Sequence, residues 1–208
     1  MRHAAFRRFL VPLAASAVLT GCAAITAVSD ATQPLDVYEL RAPSTIEASA
    51  QAPLPRDVII ELPTTSGALA TDRIMIRPDA LQAQYLPEVR WSEPTPVMVQ
   101  TLMLRAAEAT GRVRYVGRTP LGVSGDFALV TEVIDFQAAL DAGGETATVQ
   151  VRFLVRMVRE RDARIIASDT FEARATSLST ETTDIIDAFS AASDDALSDF
   201  AEWLRRAL

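Results

Sequence analysis

The chain has 208 residues, 20 basic and 27 acidic side chains, a formal net charge of −7, one cysteine and one histidine. All 20 basic residues are arginine, and without lysine the chain has no P-loop and no Schiff-base site. With only His3 and Cys22 available, a Ser-His-Asp triad, a His-based zinc centre and an internal disulfide are excluded as well.

Residues 1–21 have the pattern of a secretory signal peptide. Arginines near the N-terminus precede an apolar run, Phe9 to Leu19, which is much shorter than the ~20 residues that a membrane-spanning helix needs. The run ends in Leu19-Thr20-Gly21-Cys22, which matches a bacterial lipobox. The sequence therefore predicts cleavage before Cys22 and acylation of its thiol. The alternative is an ordinary secretory signal with a cysteine there by chance.

Removal of the signal peptide would leave 17 arginines against 27 acids, a net charge of −10. Such a charge disfavours nucleic acid and bare anionic bilayers as partners, so membrane contact is expected through the acyl chains on Cys22. Residues 22–35 are small, polar and weakly patterned. They predict a lipidated tether whose reach as a coil is about 20 Å. Residues 36–208 are predicted to form a single domain.

The first half of this domain predicts short strands followed by a helix. The strands are expected at residues 37–40, 57–62, 73–77 and 81–86. Pro78-Asp79 predicts the hairpin turn between the last two of these strands. Thr95 is expected to cap the helix, with Pro96 at the first helical position and Gly111 just past its end.

The second half predicts three antiparallel strands, over 125–136, 145–160 and 165–175, joined by turns at 141–144 and 161–163. Apolar and polar residues alternate along the middle strand, which predicts one buried and one wet face. Residues 182–208 predict a long amphipathic helix. The expected fold is α/β, more closely an α+β two-layer fold: a mainly antiparallel or mixed sheet with two principal helices packed on one face.

The ordered set of motifs resembles the auxiliary lipoproteins of ABC-type transport systems, of which the paraquat-inducible auxiliary lipoprotein is one member. The matching elements are the lipobox, Tyr38-Glu39-Leu40, Leu62-Pro63, Asp72 to Arg77, Arg90-Trp91-Ser92-Glu93-Pro94, Gly125 to Leu129 and the C-terminal helix. Within this set, the Trp-x-Glu-Pro motif at residues 91–94 is the strongest single indication of the resemblance.

The resemblance implies a non-enzymatic component with no catalytic residues, cofactor or metal. Its implied partners are an MCE-domain protein and an ABC permease and ATPase, which move lipids or other apolar compounds between two membranes. Only Cys22 carries over as a functional residue. By resemblance to lipoprotein sorting rules, Ala23 rather than aspartate after the cysteine favours the periplasmic face of the outer membrane over inner-membrane retention.

Two other classes of function stay open at this point. One is a lipoprotein chaperone or assembly factor for an outer-membrane barrel or another envelope complex. The other is a hydrolase that uses paired carboxylates such as Glu132 and Asp135. An exposed strand edge beside an apolar helix would also allow self-association into a homo-oligomer.

Several side chains are candidates for partner or ion contacts, each with a plainer structural interpretation. Trp91 and Glu93 are candidate partner contacts, although a tryptophan at a helix start more often packs beneath it. Acids on the last helix could bind a cation, but a solvated helix face is the commoner explanation. Arginines on the long strand could meet an acidic partner or a lipid headgroup, as any wet strand face allows. The acids on the last helix are Asp194, Asp195, Asp199 and Glu202. The arginines on the long strand are Arg152, Arg156 and Arg159.

Overall fold

Ten strands and two helices follow one another along residues 34–208, the part of the chain that the computed structural model describes. In order they are β1 (Asp36–Tyr38), β2 (Leu54–Ile60), β3 (Thr64–Thr65), β4 (Met75–Asp79), β5 (Gln82–Tyr85), β6 (Val89–Trp91), α1 (Thr95–Ala109), β7 (Val113–Gly117), β8 (Phe127–Leu140), β9 (Ala147–Arg159), β10 (Arg164–Thr176) and α2 (Thr182–Ala207). A single 3-10 turn, Glu160–Asp162, joins β9 to β10. Residues 36–208 form one compact unit.

The three long strands β8, β9 and β10 form an antiparallel unit, as predicted. Phe153 in β9 lies opposite Val133 in β8 and Phe171 in β10. Every second residue of β9 from Ala147 to Met157 is buried, and the residues between are half-buried. The alternation along this strand therefore does produce one covered face and one open face.

Parallel strands cover the other edge of β8. β2, β3 and β4 pair with it one after another, with Ile59 opposite Ala128, Thr64 opposite Glu132 and Ile76 opposite Ala138. β7 pairs in parallel with β2 and ends the sheet on that side. β5 pairs only with β4, and β1 with β6 forms a separate two-stranded parallel sheet. The main sheet is therefore mixed.

Both helices pack on the covered face of the sheet, which confirms the predicted α+β architecture. Val99 of α1, Phe153 of β9 and Leu197 of α2 help to line an interior void of about 10 Å³ between the two helices and the sheet. Along α2, Phe200 and Trp203 pack against Phe171, with ring centroids 5.7 and 5.6 Å away. The aromatic side of this amphipathic helix is thus buried on β9 and β10.

The hairpin turn between β4 and β5 lies two residues later than predicted. Pro78 and Asp79 belong to β4, where the pairing with β5 shifts register between Ile76 and Asp79. Asp79 Oδ1 accepts hydrogen bonds from the backbone N–H of Leu81 at 2.8 Å and of Gln82 at 3.0 Å. Its carboxylate thereby closes an Asx-type turn over Ala80 and Leu81, so that the turn follows Asp79 instead of including Pro78.

The prediction that Thr95 caps α1 is wrong. Pro94 is the N-cap residue, and no side chain caps the helix start. The Thr95 hydroxyl instead donates to the Thr71 carbonyl oxygen at 3.2 Å, because this side chain is buried against the loop before β4. Gly111 follows the last turn with φ of +56°, as its predicted position after the helix requires.

Within residues 34–208, neither helix combines the length and apolar character needed to cross a bilayer.

Candidate interaction surfaces

The predicted lipid-attachment residue Cys22 and the other lipobox residues, Leu19, Thr20 and Gly21, lie outside the described residues. The domain begins at β1, where the backbone N–H of Asp36 donates to the Glu88 carbonyl oxygen at 2.8 Å. Two residues on, Tyr38 lies opposite Trp91 of β6. This pairing fixes the position at which the preceding segment joins the domain.

Trp91 lies in the core beneath the start of α1. Its side chain is 1 % exposed, and its ring meets those of Phe136 and Phe189 edge to face, with centroids 6.1 and 5.2 Å away. A side chain with so little exposed surface presents nothing to a partner in this structure. The structure thus gives Trp91 a packing role.

Glu93 belongs to a polar network at the start of α1. Its carboxylate lies 3.3 Å from the Thr101 hydroxyl, which accepts a hydrogen bond from the Arg118 guanidinium at 2.8 Å. Arg118 also donates to the side-chain oxygen of Gln100 at 3.1 Å, and the Gln100 amide donates to the Ile60 carbonyl oxygen at 2.8 Å. The network ties α1 to β2 and to the segment that follows β7. Glu93 is half-buried within it.

An open cleft of about 480 Å³ lies where β8 begins and β9 ends. Arginine side chains predominate in its walls, and we call it the arginine cleft. Its lining residues are Arg56, Asp57, Arg114, Ser124, Gly125, Asp126, Phe127, Arg159 and Arg161. Of these residues, the sequence pattern indicates only Arg159 as a candidate contact, because the lining comes from four separate segments.

Two aspartates hold two of the cleft arginines in place. Arg56 Nη1 lies 3.0 Å from Asp126 Oδ1, and Arg114 donates from Nε and Nη2 to Asp57 Oδ1 at 2.9 and 2.7 Å. The backbone N–H of Asp57 donates to Asp126 Oδ2 at 2.9 Å. This N–H bond, followed by the hydrogen bond and charge of Arg56, lowers the pKa of Asp126 from its ordinary value despite the opposing effect of burial.

The remaining two cleft arginines differ in their partners. Arg159 donates from Nε and Nη2 to both carboxylate oxygens of Asp162, each at 2.9 Å. Arg161 is exposed and forms no ion pair with any carboxylate between residues 34 and 208. Among residues 34–208, no carboxylate lies within ion-pair distance of the Arg161 guanidinium.

The paired carboxylates considered for hydrolysis lie on the open face of the sheet. Asp135 accepts from Arg152 Nε at 2.6 Å and from the Gln137 amide at 3.0 Å. Glu132 lies opposite Leu154 on the same strand pair. The Asp135 carboxylate is already held in an ion pair, an arrangement typical of a wet sheet face.

The acidic residues of α2 are spread along the helix. Glu202 forms ion pairs with Arg205 and Arg206. Burial, together with the neighbouring charge of Asp195, raises the pKa of Asp194. In the region from residue 34 onward, no three His, Cys, Asp or Glu side chains are placed to hold a metal ion together.

Comparison with known families decides where the chain belongs. The family model described as ABC-type transport auxiliary lipoprotein component matches residues 38–201, nearly all of the described domain. The chain belongs to this family. The resemblance seen in the order of sequence motifs is thereby confirmed. The family is a non-catalytic kind of cell-envelope lipoprotein, associated with an ABC transport system.

Solved structures share the fold of this auxiliary lipoprotein. Protein XCC0632 from Xanthomonas campestris is 22% identical, with a TM-score of 0.72 over 82% of this chain and 95% of that one. An uncharacterised protein is 13% identical, with a TM-score of 0.59 over 84% of this chain and 98% of that one. At these identities the likeness shows the fold alone. The chain matches no curated protein.

Proposed function

We propose that this auxiliary lipoprotein is held by acylated Cys22 on the periplasmic face of the outer membrane. There it serves, without catalysis, an MCE-type ABC system that moves lipids or other apolar compounds between the two membranes of the envelope. The observation that carries the proposal is the family match over residues 38–201. The lipobox ending at Cys22 supports the anchor, and Ala23 supports the outer membrane as its location.

The proposed organisation is a signal peptide at residues 1–21, a lipidated tether at 22–35 and the auxiliary domain at 36–208. The hydrogen bond from Asp36 to Glu88 marks the first backbone link that β1 makes to the rest of the domain. From Cys22 to Leu35 the chain has 14 residues, whose reach as a coil is about 20 Å. A tether of this length would keep the domain close to the membrane that holds Cys22.

The architecture suits a docking component better than an enzyme. Both helices cover one face of the sheet, whereas the other face and the arginine cleft remain open. In the arginine cleft, aspartates brace two arginines, an arrangement suited to the recognition of an anionic group. We therefore assign the domain a binding role: it receives the periplasmic part of a protein that bridges the envelope.

The proposal is tested by separating membranes from cells that produce the wild-type lipoprotein or the Cys22→Ala variant. Wild type should float with the outer membrane, and the variant should be folded and free in the periplasm. A matched Ser29→Ala variant in the tether should behave as wild type. A Cys22→Ala chain that stays with the outer membrane after washing would contradict the lipid anchor.

The partner is tested by chemical cross-linking of the native lipoprotein in intact cells. An MCE-domain protein, accompanied by its permease and ATPase, is the expected product. Recovery of an outer-membrane barrel with no MCE protein would replace this proposal with the alternative of a chaperone or assembly factor.

A further inference from the structure

The arginine cleft lies far from the position where the N-terminal segment joins the domain. β1 pairs with β6 beside Trp91, whose ring contacts Phe136. From Phe136, β8 runs nine residues back to Phe127 in the cleft wall, a distance of about 30 Å. The cleft therefore lies far along the sheet from the start of β1.

Arginines in the cleft keep hydrogen-bond donors that no residue of the domain uses. Arg56 gives one N–H to Asp126, and Arg114 gives two to Asp57, although each guanidinium has about five. More than half of each of these side chains is exposed. With Arg161, which forms no ion pair within residues 34–208, the cleft presents donors to an incoming anionic group.

The donors are also held in position before anything binds. Asp57 and Asp126 brace Arg114 and Arg56 from within the domain, and a backbone hydrogen bond links the two aspartates. An anion that meets braced guanidinium groups loses less free energy to side-chain ordering. The contrast in charge favours an acidic ligand, because four cleft arginines outnumber the three aspartates that pair with them, Asp57, Asp126 and Asp162, in a chain of net charge −7.

Apolar side chains next to the cleft favour a protein over a small anion. Leu121 is 70% exposed, and Val123, directly before the lining residue Ser124, is fully exposed. Ile165 follows Arg164, which lies opposite Arg159 where β10 pairs with β9, and its side chain is also more than half exposed. Arginine combined with exposed apolar residues is typical of protein interfaces, whereas a free phosphate would leave these apolar side chains in water.

We propose that the arginine cleft docks an extended segment of a periplasmic protein in which Asp or Glu side chains are flanked by apolar residues. The carboxylates would pair with Arg56, Arg114 and Arg161, and the flanking residues would cover Leu121 and Val123. This inference rests on the proposed function, since it identifies the surface through which the anchored domain receives its partner.

The test places a photo-cross-linking residue at position 123 of the full-length lipoprotein in intact cells. A protein adduct is expected, with the cross-link in a segment that carries acids between apolar residues. Adding Arg161→Glu should lower the adduct yield about tenfold or more, as for an interface hot spot. Arg161 has no ion pair to lose within the described domain, so that this substitution leaves folding intact. Arg105→Glu, an exposed arginine on α1, is the matched control and should leave the yield unchanged.

A cross-linking residue at position 178 controls for position, because Leu178 is exposed beyond the opposite end of β10. It should not give the same adduct. Absence of any adduct at position 123, an adduct with lipid or with a second copy of this chain, or a yield insensitive to Arg161→Glu would each overturn the proposal. The anchor is tested independently: an Arg161-dependent adduct formed by the Cys22→Ala chain would support the docking cleft even if Cys22 proved not to be lipidated.

Discussion

Trp91 and Phe189 meet edge to face, with ring centroids 5.2 Å apart and ring planes at 83°. This contact joins β6, just before α1, to the first half of α2, and Phe136 of β8 completes the cluster. Two elements almost a hundred residues apart in sequence are thereby fixed on the same face of the sheet. Trp91, which belongs to the most specific of the sequence motifs, thus packs in the core between β8 and α2.

Truncation of Trp91 should therefore unfold the domain more easily. Trp91→Ala is expected to lower the free energy of unfolding by about 3–5 kcal/mol, since it removes a buried aromatic side chain and leaves a cavity. Urea denaturation followed by circular dichroism measures the change. Leu178→Ala, which truncates an exposed side chain, is the control and should change stability by less than about 0.5 kcal/mol. A Trp91→Ala domain as stable as wild type would contradict the packing role.

Ser193 should be replaceable with a gain in stability. Its hydroxyl is buried without a hydrogen-bond partner in the described structure and borders the small void between the helices and the sheet. Ser193→Ala removes the unsatisfied group and should stabilise the domain by about 1 kcal/mol. Ser198→Ala on the same helix corrects for the difference in helix propensity. If Ser193→Ala destabilised the domain relative to that control, the hydroxyl would have a partner in solution.

The arginine cleft should make stability depend on pH through Asp126. Its folded-state pKa is lowered, so the ionised group stabilises the fold at neutral pH, and this contribution is lost as pH falls through the folded pKa. Asp126→Asn should therefore be less stable than wild type at pH 7. The difference in the free energy of unfolding between wild type and Asp126→Asn should become smaller below the ordinary pKa of 3.8. Chemical denaturation at several pH values tests this, and a gap independent of pH would contradict it.

Asp194 should have the opposite effect on how stability depends on pH. Burial and the charge of Asp195 raise its folded-state pKa, so ionisation costs stability as pH rises from 3.8 through the raised value. Asp194→Asn should therefore be more stable than wild type at pH 7 and lose this advantage in acid. Thermal unfolding at neutral and acidic pH measures the difference. An Asn variant that is less stable at pH 7 would show that the carboxylate makes a favourable contact.

Sequence reasoning succeeded where the pattern is long and local. The alternation in β9 and the helical spacing of apolar residues in α2 each extend over many residues, and both elements were predicted. It failed at β7, Val113–Gly117, because this edge strand is short and its parallel partner β2 lies more than fifty residues earlier. Parallel pairing depends on contacts distant in sequence, which periodicity does not reveal.

The functional surfaces show the same division. The predicted lipobox is a contiguous motif, so it can be proposed without a structure. The arginine cleft is not, since its ion pairs join Arg56 to Asp126 and Arg114 to Asp57 across 70 and 57 positions. Arginines scattered through an acidic chain carry no signal until the sheet register brings them together. Likewise, the Thr95 hydroxyl bonds to Thr71, a partner 24 residues away that local capping rules do not consider.

The proposed membrane anchor depends most directly on the chemistry at Cys22. Mass spectrometry of the lipoprotein purified from membranes, with identification of its N-terminal peptide, tests it in one measurement. The expected mature chain begins at Cys22, with a diacylglyceryl group on the sulfur and a further mass increase from N-acylation. A mature chain that begins at any other residue, or a Cys22 with a free thiol, would contradict the proposed lipid anchor.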